Sequence, residues 1–147
     1  MKKIRQIGFL LLAFVCMLAG CTETNTTSTA KERKPGTVFE VDGQTLYGEE
    51  GKFGMIKLNG ESGEPAFAVG QGRHYQLYFL ADAEKVNGKL YNMTALHQET
   101  GKKVKLYEAV IENAQSGAKF VLDQSGKWKI NVTVDKEPYA SFVITAE

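Results

Sequence analysis

Cysteine is nearly absent from this chain: Cys16 and Cys21 are the only two, and both lie near the N-terminus. No disulfide can join elements of the body, and no cysteine-rich metal knuckle can form there. Histidine is as scarce, with His74 and His97 alone. Long apolar runs are also missing. The apolar stretch Ile7 to Ala19 is 13 residues without a charge, short of the roughly 20 that a membrane-spanning helix needs. Nor is there an excess of one charge. The formal net charge is +1, and residues 1–20 contribute Lys2, Lys3 and Arg5 without an acid. The remainder is slightly acidic and offers no basic field for a nucleic-acid backbone. With 147 residues the chain allows one ordinary domain with a tail and excludes a large multidomain enzyme.

What is present at the N-terminus is an address. A short positive segment, Met1 to Gln6, precedes the apolar run, in the order of a secretory signal. Leu18-Ala19-Gly20-Cys21 follows and resembles the lipobox of bacterial lipoproteins. The resemblance implies cleavage after residue 20, with Cys21 as a diacylated (palmitate-type) N-terminus on the extracytoplasmic face of a cell membrane. Two acyl chains anchor stably where one is marginal. Cys16 then belongs to the discarded segment 1–20.

Residues 21–36 hold a Thr/Ser run and the charges Lys31, Glu32, Arg33 and Lys34, with Ala30 the only apolar residue apart from Pro35 and Gly36. Such a segment cannot repay the entropy of folding and is read as a flexible tether. About 14 residues of it span on the order of 20 Å.

From residue 37 to 147 the pattern becomes short β-prone runs broken by turn residues. Trp128, Ile130, Val132 and Val134 alternate with Lys129, Asn131 and Thr133, a period of two that buries the first set. Asp135-Lys136-Glu137-Pro138 reads as a turn, and Tyr139 to Thr145 as the returning strand with Phe142 and Ile144 on one face. Tyr75, Leu77 and Phe79 form another alternating set. So do Tyr91, Met93, Ala95 and His97, although Leu90 and Leu96 between them suggest burial on both faces. Weaker strands are Val38–Val41, Phe53–Leu58, Phe67–Val69, Val104–Tyr107 and Lys119–Leu122. No stretch carries a helical period with caps. Strands at this spacing predict an all-β antiparallel sandwich or barrel. The aromatics are read as core first, since each buries about 150–250 Å² when enclosed.

From about Gly70 onward the order of elements resembles an immunoglobulin-like β-sandwich. The segment Leu122-Asp123-Gln124-Ser125-Gly126-Lys127-Trp128 looks like the corner leading into its penultimate strand, with Trp128 where many members carry a tyrosine. Trp128 and Gly126 are the structural residues this implies. Lipobox, tether and immunoglobulin-like domain together resemble the small uncharacterised lipoproteins of Bacillus-type Gram-positive bacteria, which supply no activity to carry over.

Chemistry is thinly signalled. His74, Met93 and His97, with Met55, are the residues that could ligate copper, but no His-x-His or Met-x-Met spacing supports a metal site, and none is expected. Gly60-Glu61-Ser62-Gly63 falls one residue short of a nucleophile elbow. Glu49-Glu50 and Asp82-x-Glu84 are acid pairs in predicted loops, and Gly70-Gln71-Gly72-Arg73 lacks the third glycine of a dinucleotide fingerprint. Neither a cofactor nor an enzyme is expected. Tyr47, Tyr107 and Tyr139 are read as half-buried strand residues, or else as a partner surface. The function expected is that of a membrane-anchored binding or accessory module with a protein or cell-envelope partner and no nucleic acid. Loops at one end, Gly48–Lys52, Gly60–Glu64, Asp82–Lys89 and Glu112–Gly117, would make the contact. The alternatives are copper handling outside the membrane and inhibition of an envelope or secreted enzyme by an inserted loop.

Overall fold

The computed structural model describes residues 38–147; the signal segment, Cys21 and the tether lie outside the described residues. Nine strands form two antiparallel sheets. They are β1 (Val38–Val41), β2 (Gln44–Glu49), β3 (Phe53–Lys57), β4 (Arg73–Phe79), β5 (Leu90–His97), β6 (Lys103–Val110), β7 (Gln115–Phe120), β8 (Gly126–Val134) and β9 (Glu137–Ala146). A single helical turn, α1 (Ala83–Val86), links β4 to β5. The first sheet runs β1-β2-β3-β4-β7 and the second β6-β5-β8-β9. The chain changes sheet after β4, after β6 and after β7, which is a Greek-key crossing pattern. Setting aside β1 and β2, the two sheets follow the A-B-E and C′-C-F-G order of immunoglobulin-type sandwiches.

The alternating positions meet between the sheets. Tyr75, Leu77 and Phe79 of β4 face Tyr91, Met93 and Ala95 of β5 and Trp128, Ile130 and Val132 of β8 across one buried cluster. Every member of that cluster lies between Phe53 and Ala146, and no buried side-chain nitrogen or oxygen among the described residues lacks a partner. Among the described residues this cluster forms one continuous core between the sheets. Aromatic rings fill both ends of it. Phe53 meets Phe79 edge-on at 5.3 Å and stacks on Phe142 at 5.8 Å, while Phe67, Tyr75 and Phe120 form a stack with centroids 5.7 and 4.2 Å apart.

Some expectations need correction. Leu90 is 48% exposed and Leu96 is only half-buried, so the outer face of β5 meets solvent and its burial is one-sided. The predicted strand at 67–69 is instead loop that drops Phe67 into the core and makes one parallel bridge, Val69 to Leu122. Strand β2 escapes the alternation rule because Leu46 and Tyr47 are both enclosed, on opposite faces. Tyr47 packs edge-on against Phe67 at 5.2 Å. Leu46 lies on the outer side with Phe39, over the paired glycines Gly48 and Gly54. A Cβ on Gly54 would stand 2.8 Å from Leu46 Cδ1 and 3.0 Å from Phe39 Cζ, so that small outer cluster requires glycine beneath it.

Three of the four sheet edges are managed visibly. On β9 the backbone N–H of Ser141 donates to Glu49 Oε2 at 2.9 Å, and the 67–69 segment exchanges hydrogen bonds with Glu147. Strand β6 carries a bulge opposite Met93/Thr94 and the exposed Lys103 and Lys105, and β1 is only four residues long. Such devices discourage pairing with another chain.

Two-residue hairpin turns with positive φ at both central residues join β1 to β2 (Asp42-Gly43) and β8 to β9 (Asp135-Lys136). The second turn holds Lys136 at φ 72°, a conformation costing a side-chain-bearing residue about 1 kcal/mol. Lys136→Gly is expected to raise the unfolding free energy by about 1 kcal/mol. Urea denaturation should show a higher midpoint at unchanged slope.

Candidate functional site

The two ends of the sandwich differ in how they are built. The first, here the Trp128 end, gathers the 42–43 turn, the 58–72 segment, the 98–102 turn and the 121–125 crossover. Trp128 begins the inward series of β8 and is fully buried. Its Nε1–H donates to the carbonyl of Gln124 at 2.9 Å, four residues upstream, which is the part a corner tyrosine plays in many sandwiches. His97, its cross-strand partner, packs edge-on against the indole at 4.8 Å and 76°. Thr100 N–H donates to His97 Nδ1 at 3.2 Å, so the ring proton sits on Nε2, which donates to Ser125 O at 2.9 Å. Gly126, at φ 114°, is needed because a Cβ there would come within 3.1 Å of His97 Nε2.

The same end holds an ion cluster that the sequence did not signal. Glu64 accepts from Arg73 Nε at 3.0 Å and Nη2 at 2.6 Å, from Lys57 Nζ at 3.2 Å and from the Glu61 N–H at 3.2 Å. Its side chain is only 10% exposed. The hydrogen bonds from Arg73 hold the Glu64 carboxyl down to about 2 from an ordinary 4.5, against the opposing effect of burial and with help from Lys57. Lys57 also donates to Pro65 O at 2.8 Å. A Cβ on Gly60 would lie 2.0 Å from Glu64 Oε2, which explains the glycine. The cluster pins the long 58–72 connection to β3 and β4. The nucleophile-like Gly60-Glu61-Ser62-Gly63 is an exposed turn within it, and Gly70-Gln71-Gly72 is another.

The opposite, Tyr139 end gathers the β2–β3 turn, the 80–89 connection with α1, the 111–114 turn and the 135–136 turn. The Tyr139 hydroxyl donates to Ala81 O at 2.7 Å, accepts from Ala81 N–H at 3.1 Å and lies 3.0 Å from Lys52 O. Asn87 Oδ1 accepts from Ala114 N–H at 2.6 Å, tying α1 to the 111–114 turn. Five of the six non-glycine residues at positive φ stand here: Asp82, Asn113, Ala114, Asp135 and Lys136. Beside them Leu90 and Val110 form a cross-strand pair on the outer face of the second sheet, 48% and 49% exposed.

Of the four loops expected to share one end, 48–52, 82–89 and 112–117 do so. The 60–64 loop lies at the other end, because β3 and β4 are antiparallel neighbours and their connection returns there. Residues 115–117 of the third are already strand β7. The candidate metal ligands do not converge. His74 is exposed on the outer face of β4 in the first sheet, whereas Met93 and His97 point inward from β5 in the second. Four residues along that strand separate Met93 from His97 by about 13 Å, and both ring nitrogens of His97 are already engaged. Met55 is buried in the core. No group of three or more His, Cys, Asp or Glu suited to a metal ion occurs among the described residues.

One member of each acid pair has a structural partner. Glu49 bonds Lys52 Nζ at 2.9 Å besides Ser141, and Asp82 bonds Lys85 at 2.7 Å. Tyr47, Tyr107 and Tyr139 are half-buried against the core.

Neither a family model nor a curated protein matches this chain. A crystal structure described as a putative lipoprotein from Bacillus anthracis is similar in fold, with a TM-score of 0.60 and 23% identity over 77% of this chain and 85% of that one.

Because Glu64 titrates lower folded than unfolded, the unfolded chain binds more protons between about pH 4.5 and 2. The stabilisation it brings is whole above that window and drains away as pH falls through it. Glu64→Gln is expected to lower stability at neutral pH and to flatten the dependence of the urea midpoint on pH between those limits, relative to the parent. The described residues thus form an all-β sandwich with two built ends, and its fold is shared with that lipoprotein-described structure.

Proposed function

We propose that this chain is a bacterial lipoprotein, diacylated at Cys21 and held on the extracytoplasmic face of the membrane. There its immunoglobulin-like domain serves as a non-enzymatic binding or accessory module. The reading rests on the lipobox Leu18-Ala19-Gly20-Cys21, followed by a polar spacer and an all-β domain with one buried cluster between its sheets. The similarity of fold to a lipoprotein-described structure agrees with it.

Within the domain, the Tyr139 end is the recognition surface. The single observation that carries this is the crowding of five left-handed, side-chain-bearing residues around an exposed Leu90–Val110 pair. Backbone strain of this kind gathers at binding sites, and an apolar pair with a polar rim suits a protein partner. Tethering by two acyl chains raises the effective concentration of that end for any surface neighbour.

Two measurements test the reading separately. Maturation should be sensitive to a lipoprotein signal-peptidase inhibitor, and the mature protein should partition into detergent; both behaviours should vanish in Cys21→Ser. On intact cells, a photo-crosslinking residue at Val110 or Asn113 is expected to capture a discrete partner, while the same residue at His74 captures none. Equal capture at all three positions would remove the Tyr139 end as the recognition surface.

A further inference from the structure

Among the described residues, 12 Lys and Arg stand against 15 Asp and Glu, so the domain is net acidic. One region reverses that sign. Strand pairing sets Lys103 and Lys129 on either side of Leu96, and Lys105 beside Thr94, all on the outer face of the second sheet. Lys127, two residues before Lys129, shares that face because Trp128 and Ile130 point inward. Neighbouring strands lie about 4.8 Å apart and alternate residues about 7 Å apart. Lys103 and Lys129 therefore face each other across β5 at about 10 Å, with Lys105 and Lys127 about 7 Å further along their own strands in opposite directions. The four make a slanted strip in which strand neighbours lie within one Debye length at physiological salt, about 8 Å.

Two of the carboxylates near this face are paired with other groups. Glu108 pairs with Lys105 at 3.1 Å and accepts from Asn92 at 2.8 Å, and Asp123 pairs with Lys102 at the end of the sheet. Glu99, exposed in the 98–102 turn, places Oε1 3.8 Å from the Cβ position of Gly126, beside Lys127 at the end of the strip. Lys103, Lys127 and Lys129 have no ion-pair partner among the described residues. Edge protection explains lysines on β6. It does not explain Lys127 and Lys129, because β8 lies inside the sheet, between β5 and β9.

We infer that this lysine face is a docking surface for anionic phospholipid headgroups, and that it lays the domain flat on the membrane with the second sheet downward. The inference rests on the lipoprotein reading for its setting. Charge complementarity supplies the attraction, and a basic residue close to an anionic membrane contributes about a fivefold gain in partitioning. Residues 21–37 span about 55 Å when extended, so any face of the domain can reach the bilayer. Docked this way, the sheet normal points at the membrane and the Tyr139 end opens sideways, along the surface.

The test uses the chain from residue 21 to 147 carrying Cys21→Ser, so that no lipid contributes. It is mixed with vesicles of phosphatidylcholine alone or with about one third phosphatidylglycerol, an anionic lipid. Sedimentation is expected with the anionic vesicles only, weakening steeply as salt rises. Lys127→Gln/Lys129→Gln should reduce partitioning by more than tenfold. Lys85→Gln/Lys89→Gln, the same charge change at the Tyr139 end, should leave it unaltered, and circular dichroism should show strand signal in all variants. Equal loss in both double variants, binding to neutral vesicles, or binding to a soluble polyphosphate with none to vesicles would each overturn the inference. Failure of the wild-type chain to be lipidated would overturn the anchor reading instead, and would leave the vesicle result standing.

Discussion

One buried donor sets the frame of the second sheet. The indole of Trp128 lies wholly inside the sandwich, and its N–H has a single partner, the carbonyl of Gln124. Leaving that donor unpaired in the core would cost about 1–3 kcal/mol, so the crossover from β7 must bring residue 124 back beneath the ring. His97 completes the arrangement by resting on the indole and holding Ser125. With Trp128 committed inward, the two-residue period of a strand sends Lys127 and Lys129 outward. A slip of one position would bury two ammonium groups and expose the aromatic. Register, core and surface charge at this end follow from the same side chain.

The two ends spend their polar groups differently. At the Trp128 end they are tied into closed networks: Glu64 with Arg73 and Lys57, His97 with Thr100 and Ser125. These networks pin long connections whose backbone would otherwise be costly to order. At the Tyr139 end one hydroxyl and one amide, Tyr139 and Asn87, hold three of the four connections, and the turns themselves carry positive φ at residues other than glycine. That end is short and conformationally loaded, and its apolar pair is uncovered. The contrast is what favours the Tyr139 end as the proposed recognition surface.

Much of the fold was legible because burial on one face leaves an alternating trace. Strands β4, β5, β8 and β9 announced themselves through Tyr75 to Phe79, Tyr91 to His97, Trp128 to Val134 and Phe142 with Ile144, and the corner through Gly126 and Trp128. Strand β2 left no such trace, because its neighbouring Leu46 and Tyr47 are covered on opposite sides. The Glu64 cluster was illegible for another reason: Lys57, Glu64 and Arg73 meet only once the 58–72 loop has folded back, and spacing along the chain encodes nothing of that return. The 60–64 loop was assigned to the wrong end because sequence order alone does not reveal which pole an antiparallel connection visits. The lysine face was equally hidden, since Lys103 and Lys129 come from strands that are not neighbours and share a face only through the intervening β5.

The treatment of the sheet edges bears on behaviour in a crowd. The carboxylate of Glu49 on Ser141 and the 67–69 segment on Glu147 occupy the rim of β9, while a bulge and paired lysines spoil the rim of β6. If, as proposed, the domain is gathered at high density on a membrane, copies would meet rim to rim far more often than in dilute solution. With those rims occupied, encounters between second sheets find no ladder to extend, and crowding brings those sheets together as separate domains instead of knitting them through that layer.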